Sequence, residues 1–252
     1  MRSPQIHIPF EKIELYLPFI LKEKLNLEIY FSSYILDSIE ADAIMRLRET
    51  LYYEPFLTFH APFMDLSPGA VDSKVRSVTI ERFNEILNLS SLLKPACIVF
   101  HSGYEKWKYA FNVNLWLEKS LETWRPLNER AEDLGISLAI ENIFEDEPGN
   151  LKLLMESMSS ENFGICFDTG HCNLFSKVAL IEWIKELNPF IIELHLHDND
   201  RSADSHYPIG DGNFDFTTLF SALKDNHCIH TIEAHTYERV VKSIERLKGY
   251  VG

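Results

Sequence analysis

The chain has 252 residues, 46% hydrophobic and 12% aromatic, enough for one sizeable core, and its length suits a single α/β domain over residues 1–252. Its 38 acidic against 24 basic residues, a formal net charge of −14, disfavour a grip on nucleic acid or anionic lipid that rests on protein charge, although bound divalent cations would offset that charge locally. Four cysteines without C-x-x-C spacing suggest neither a disulfide framework nor a cysteine zinc site. No apolar run approaches the ~20 residues of a membrane span, and MRSPQIHIPFEKIE lacks the apolar region of a signal peptide, so the cytoplasm is the expected location.

In chain order, the strand-like segments are QIHIPF, LNLEIYF, FLTFHAPF, ACIVFHSG, SLAIEN, FGICFDTGH, IIELHLHD and CIHTIEAH. Helical patterns intervene. VDSKVRSVTIERFNEILNLSSLL follows the third strand, NVNLWLEKSLETWRPLNERAEDLG the fourth, LIEWIKEL the sixth, FTTLFSALKDN the seventh and YERVVKSIERLKGYV the eighth. Eight strands alternating with helices predict a (β/α)8 barrel; an open doubly wound sheet is the alternative, but no Gly-rich phosphate fingerprint follows the first strand.

Alternate residues of a barrel strand face the lumen. Setting Glu141 inward brings Ala139 and Ser137 with it; Asp168 brings Cys166 and Gly164, Glu233 brings Thr231, and His60 brings Thr58. Large apolar side chains then face the helices. His60, His101, Glu141, Asp168, His171, His195, His197 and Glu233 gather at the C-terminal strand ends, where barrel enzymes build their sites. Buried, unpaired carboxylates cost several kcal/mol each, so carboxylates and imidazoles converging there call for a bound cation. Phe63, just after His60, is expected to line a small pocket. Asp204 and His206, two apart in a loop read as extended, would point to one side and could chelate an ion.

HAPF, FHSG, AIEN, FDTGH, HLHDND, DSHYPIGDG and TIEAH, in that order along nearly the whole chain, resemble the xylose isomerase-like TIM-barrel superfamily. That superfamily holds sugar and sugar-phosphate isomerases and epimerases, and also the endonuclease IV group (AP endonuclease family 2). The resemblance implies a divalent-metal enzyme carrying one to three ions, zinc or manganese before magnesium or cobalt.

Two chemistries are compatible with it. In the likeness of ketose epimerases, Glu141, Asp168, His195 and Glu233 hold one ion, Glu141 and Glu233 move the proton, and His171 and Arg201 bind oxygens of a small carbohydrate or its phosphate; His197, nearer the rim on the parity of His195, supports the ligands from behind or binds substrate, before ligating itself. In the likeness of endonuclease IV there are three ions: one on His60, His101 and Glu141, a second on Glu141, Asp168, His195 and Glu233, a third on His171, Asp204 and His206; DNA is then the partner. The acidic stretch IFEDEPGN opposes a DNA backbone there, and Lys106 and Lys108 read as solvated charges. A hydride shift of the xylose isomerase kind is disfavoured because the motifs hold no lysine. A metal- or sugar-binding barrel without turnover would display the same ligands. No membrane partner is implied, and the oligomeric state is open.

Overall fold

The computed structural model describes residues 3–251. Eight parallel strands close into a barrel in sequence order: β1 (Gln5–Pro9), β2 (Asn26–Tyr30), β3 (Leu57–His60), β4 (Cys97–His101), β5 (Ser137–Glu141), β6 (Phe163–Asp168), β7 (Ile191–Leu196) and β8 (Ile229–Ile232). All eight expected strands are present. The helices are α1 (Ile13–Glu23), α2 (Ser33–Leu36), α3 (Ala41–Thr50), α4 (Ser73–Leu93), α5 (Val113–Leu134), α6 (Gly149–Met158), α7 (Thr169–Phe175), α8 (Leu180–Leu187), α9 (Phe216–Ala222) and α10 (Tyr237–Val251). None is long and apolar enough to cross a membrane.

Local signals fix several boundaries. Asp72 caps α4 by accepting from the backbone N–H of Lys74 at 2.8 Å, and Asn112 caps α5 by accepting from Leu115 at 3.1 Å. Gly135 ends α5 in the left-handed region, φ 70°, which glycine adopts without steric cost. FDTGH, expected to be strand throughout, leaves the sheet at Asp168. Its carboxylate accepts the N–H of His171 at 2.6 Å, so the residue that ends β6 also caps α7. That turn folds His171 back over the strand ends.

The alternation produces two cores. The large one lies between sheet and helices and includes Phe59, Phe100, Ile140, Ile165, Phe167 and Leu194. A small one of Cys97, Val99, Ala139 and Cys166 fills the lumen, with Ile192 and Ile229 packed against it. All four cysteines are free thiols. The ladder between β6 and β7 shifts register, pairing Ile165 with Ile191 but Cys166 with Glu193 and Asp168 with His195. This bulge brings Ile192 against the lumen cluster and keeps Glu193 and His195 on the inward parity above it.

Candidate metal centre

Glu141 ends β5 and is the hub of the site. One carboxylate oxygen, Oε2, lies 3.0 Å from His60 Nε2, 3.3 Å from His101 Nε2 and 3.7 Å from His195 Nδ1; the other, Oε1, lies 3.0 Å from His171 Nδ1. His195 Nδ1 also faces Glu233 Oε1 at 3.2 Å and Asp168 Oδ2 at 3.8 Å. Three carboxylates from β5, β6 and the end of β8 thus meet one imidazole nitrogen.

Charge balance governs the pKa values there. Burial would raise the Glu141 carboxyl, but His101, His195 and His171 hold it well below the usual carboxylate range. Glu233 is likewise held low against burial, by His195, His7 and His206. Burial alone would lower His206; its hydrogen bond to Glu233, 3.0 Å, lifts it to about 9. Burial wins at His101, whose pKa is lowered although the Glu141 carboxylate stands beside it.

The donor set fits a divalent cation. His195 is fully buried and its Nδ1 has no hydrogen-bond partner, although it faces three carboxylates. An orphaned buried polar atom costs ~1–3 kcal/mol, and clustered carboxylates add mutual repulsion, so a cation among them relieves both. Nitrogen and oxygen donors of this kind suit zinc or manganese. Compact groups of possible ligand atoms, all within 4.8 Å of one another, include His60, His101 and Glu141; Asp168, His171 and His197; and His197, His206 and Glu233.

The third expected group is assembled differently from the sequence reading. Asp204 stands 3.5 Å from His171 and 3.4 Å from His206, but the loop is not extended: His206 sits at φ 45°. A turn brings the two side chains together. His206 is stacked between His197, centroids 4.0 Å apart, and His235 at 4.6 Å.

Asp198 organises this loop. Its carboxylate accepts backbone N–H groups from Asn199, Gly210, Gly212 and Phe214 at 2.9–3.1 Å. A pair of main-chain hydrogen bonds to Tyr207, at 2.9 and 2.8 Å, closes it. Asn199 beside Asp198 is buried and bonded to Gly170 and Asn173.

Two expected substrate residues do not reach the cavity. Arg201 is exposed at φ 70°, and its Nε donates to Asn173 Oδ1 at 3.1 Å, so the guanidinium is engaged outside the site. His197 is fully buried beneath His206, with Nε2 at 3.0 Å from Asp168 Oδ2. That is the position behind the ligands that its place nearer the rim allowed, with its ring against Asp168. A Cβ on Gly170 would lie 2.0 Å from the His197 ring, so only glycine allows this packing.

A cavity of about 700 Å³ opens above the cluster, lined by His60, His101, Glu141, His171, His206 and Glu233. Phe63 also lines it, stacked on His101 at 4.2 Å and 18°. Lys108, read from sequence as solvated, borders the cavity and donates to Ser67 Oγ at 2.9 Å. The acidic stretch after Glu141 is largely neutralised: Glu145 is buried against Ser102 and the Ile143 N–H, and Asp146 pairs with Lys106 and Lys177.

Sequence reasoning missed four inward residues. Gln5 and His7 on β1, Glu28 on β2 and Glu193 on β7 all obey the same alternation, polar between apolar neighbours, and that signal would have found them. His7 Nδ1 lies 2.8 Å from Glu28 and 3.2 Å from Glu233. Below them Gln5 Nε2 donates to Glu193 at 2.8 Å and Thr231 donates to Glu193 at 2.5 Å.

Residues 35–250 match the family model of the xylose isomerase-like TIM barrel. The uncharacterized protein MJ1311 of Methanocaldococcus jannaschii is 32% identical over 217 residues, covering 82% of this chain and 73% of that protein. A D-tagatose 3-epimerase-like protein of known structure is 29% identical, with TM-score 0.83 over 98% of this chain and 97% of its own. The TTHB071 protein from Thermus thermophilus, whose crystal was soaked with ZnCl2, shares the fold at 24% identity and TM-score 0.81, covering 100% of this chain and 98% of its own. With its closed eight-stranded barrel and a family match over most of its length, the chain belongs to the xylose isomerase-like TIM-barrel family.

Proposed function

We propose that this protein is a divalent-metal-dependent sugar isomerase or epimerase that moves a proton at a carbon beside a carbonyl. The observation that carries the reading is the pair Glu141 and Glu233. Both line the cavity, they come from strands three apart in the ring, and both face His195 Nδ1, at 3.7 and 3.2 Å. A cation held by Glu141, Asp168, His195 and Glu233 would polarise the hydroxy-carbonyl of a bound ketose. The side chains do the rest. One carboxylate, ionised, can take the proton from the substrate carbon; the other, once it has picked up a proton from solvent, can deliver one to the opposite face, and the first then releases its proton to solvent. His171 and His206 offer donors to sugar oxygens, Phe63 an apolar wall, and Lys108 an ammonium for a terminal phosphate. The likeness to a D-tagatose 3-epimerase-like protein supports a ketose as substrate.

The test is solvent deuterium exchange. Protein reloaded with manganese or zinc is incubated in D2O with a panel of ketopentoses, ketohexoses and their phosphates. We expect deuterium at the carbon next to the carbonyl, with the rate reduced about 10²–10⁴-fold in Glu233→Gln. No exchange with any ketose would overturn the reading.

One observation favours a second reading, a multi-zinc phosphodiester hydrolase. His60, His101 and Asp204 surround the same cavity, and a single-ion epimerase leaves them without work. Neutralisation of Asp146 and burial of Glu145 also weaken the electrostatic objection to a phosphate backbone. Two or three zinc ions per chain, with cleavage of a duplex containing an abasic site, would establish that activity instead.

A further inference from the structure

His195 has two ring nitrogens with opposite surroundings. Nδ1 faces the three carboxylates of the metal centre; Nε2 faces Glu28, 3.1 Å from Oε1 and 3.3 Å from Oε2. Both residues are fully buried, so water cannot replace either partner. Glu28 is surrounded by donors: His7 Nδ1 at 2.8 Å on one oxygen and Thr58 Oγ1 at 3.3 Å on the other, besides His195. A carboxylate in that setting only accepts, so the proton on His195 sits at Nε2. The Nδ1 lone pair is then turned toward the cation site, which matches its lack of a hydrogen-bond partner in the protein.

We infer that Glu28 is a positioning residue: from β2, it fixes the tautomer and ring orientation of His195 and so sets metal affinity, with His7 tying Glu28 to Glu233. The inference rests on the metal-centre reading. It gives work to the first two strands, neither of which supplies one of the expected ligands. A carboxylate behind a ligating imidazole raises the basicity of the ring and locks its rotation, and loss of such a partner typically weakens metal binding ~10–100-fold.

The experiment compares zinc affinity, by chelator competition, in wild type, Glu28→Gln and Glu193→Gln. Glu193 lies in the same buried layer, its carboxyl close to both Glu28 and His195, but it hydrogen-bonds to Gln5 and Thr231, so Glu193→Gln disturbs the charge of the lumen without removing the acceptor at His195 Nε2. In parallel, ¹⁵N NMR of the zinc-loaded wild type reads the protonated nitrogen of His195. We expect a loss of ~10–100-fold in Glu28→Gln, a value within about twofold of wild type in Glu193→Gln, and a proton on Nε2. Equal losses in both variants, wild-type affinity in Glu28→Gln, or zinc on Nε2 would overturn the inference. Should Glu28→Gln not fold, the wild-type tautomer decides. Absence of zinc binding by the wild type would overturn the metal-centre reading as well, which separates the two failures.

Discussion

Replacing Glu141 by Gln removes a carboxylate that touches both sides of the centre. Its Oε2 serves His60 and His101 on one side and faces His195 on the other, so the charge contributes to two candidate ion positions. A ligand that binds only the folded state stabilises by RT ln(1 + [L]/Kd), about 2.7 kcal/mol at a hundredfold excess over Kd. For a chain of this size each kcal/mol moves Tm by about 2–4 °C, so wild type should gain roughly 5–10 °C under that condition. Losing a direct ligand should weaken binding at least as much as losing an outer partner, whose upper range is about 100-fold. At the same metal concentration the variant then sits near its own Kd and gains about 0.4 kcal/mol, roughly 1 °C. Calorimetry of EDTA-treated protein with and without zinc, comparing each variant with itself, cancels any cost of the substitution to the metal-free fold. A full wild-type shift in Glu141→Gln, with equal metal content, would refute the convergence of ligands on this residue.

Asp198→Ala should release the loop that carries Asp204 and His206, because four backbone N–H groups lose their acceptor. With partial rescue by water, we expect a loss of about 3 kcal/mol, and rapid hydrogen exchange at Gly210, Gly212 and Phe214; unchanged protection of those amides would count against the latch. His230 on β8 is buried against Phe220, ring centroids 5.7 Å apart, and burial pushes its pKa down to about 4. The folded state therefore prefers the neutral ring. Its contribution is fully present above the unfolded value near 6.5 and is lost as pH falls from there through 4, a change on the order of 3 kcal/mol. His230→Phe should flatten this slope in urea titrations at about pH 7.5 and 4.5, and parallel curves for the two proteins would exclude the assignment.

Much of the barrel was legible because strand alternation is a local, period-two property. Leu138 and Ile140 flank Ala139, and Ile165 and Phe167 flank Cys166, so the lumen face is written in each strand before any strand meets another. The same rule put Glu141, Asp168 and His195 inward. It covers Glu28 and Glu193 as well, yet their partners could not be read locally. Glu28 meets His195 across the closed ring, between residues 167 apart in sequence.

Loops were less legible. HLHDNDRSADSHYPIGDG shows metal-capable side chains, but backbone conformation sorts them: a left-handed turn brings His206 to Glu233, another carries Arg201 outward to Asn173, and Asp198 spends its carboxylate on the backbone. Short polar side chains can bond to backbone, solvent or a metal with similar ease, so residue type alone does not choose among these.

By itself, then, the sequence determined the strand count, the parity of each strand and the residue types at its end, because side-chain direction follows from the pleat. Only the tertiary structure decided which charges share a partner. Closure of the barrel, the bulge at Ile192 and the Asp198 latch set distances between residues far apart in the chain, and electrostatic coupling follows those distances.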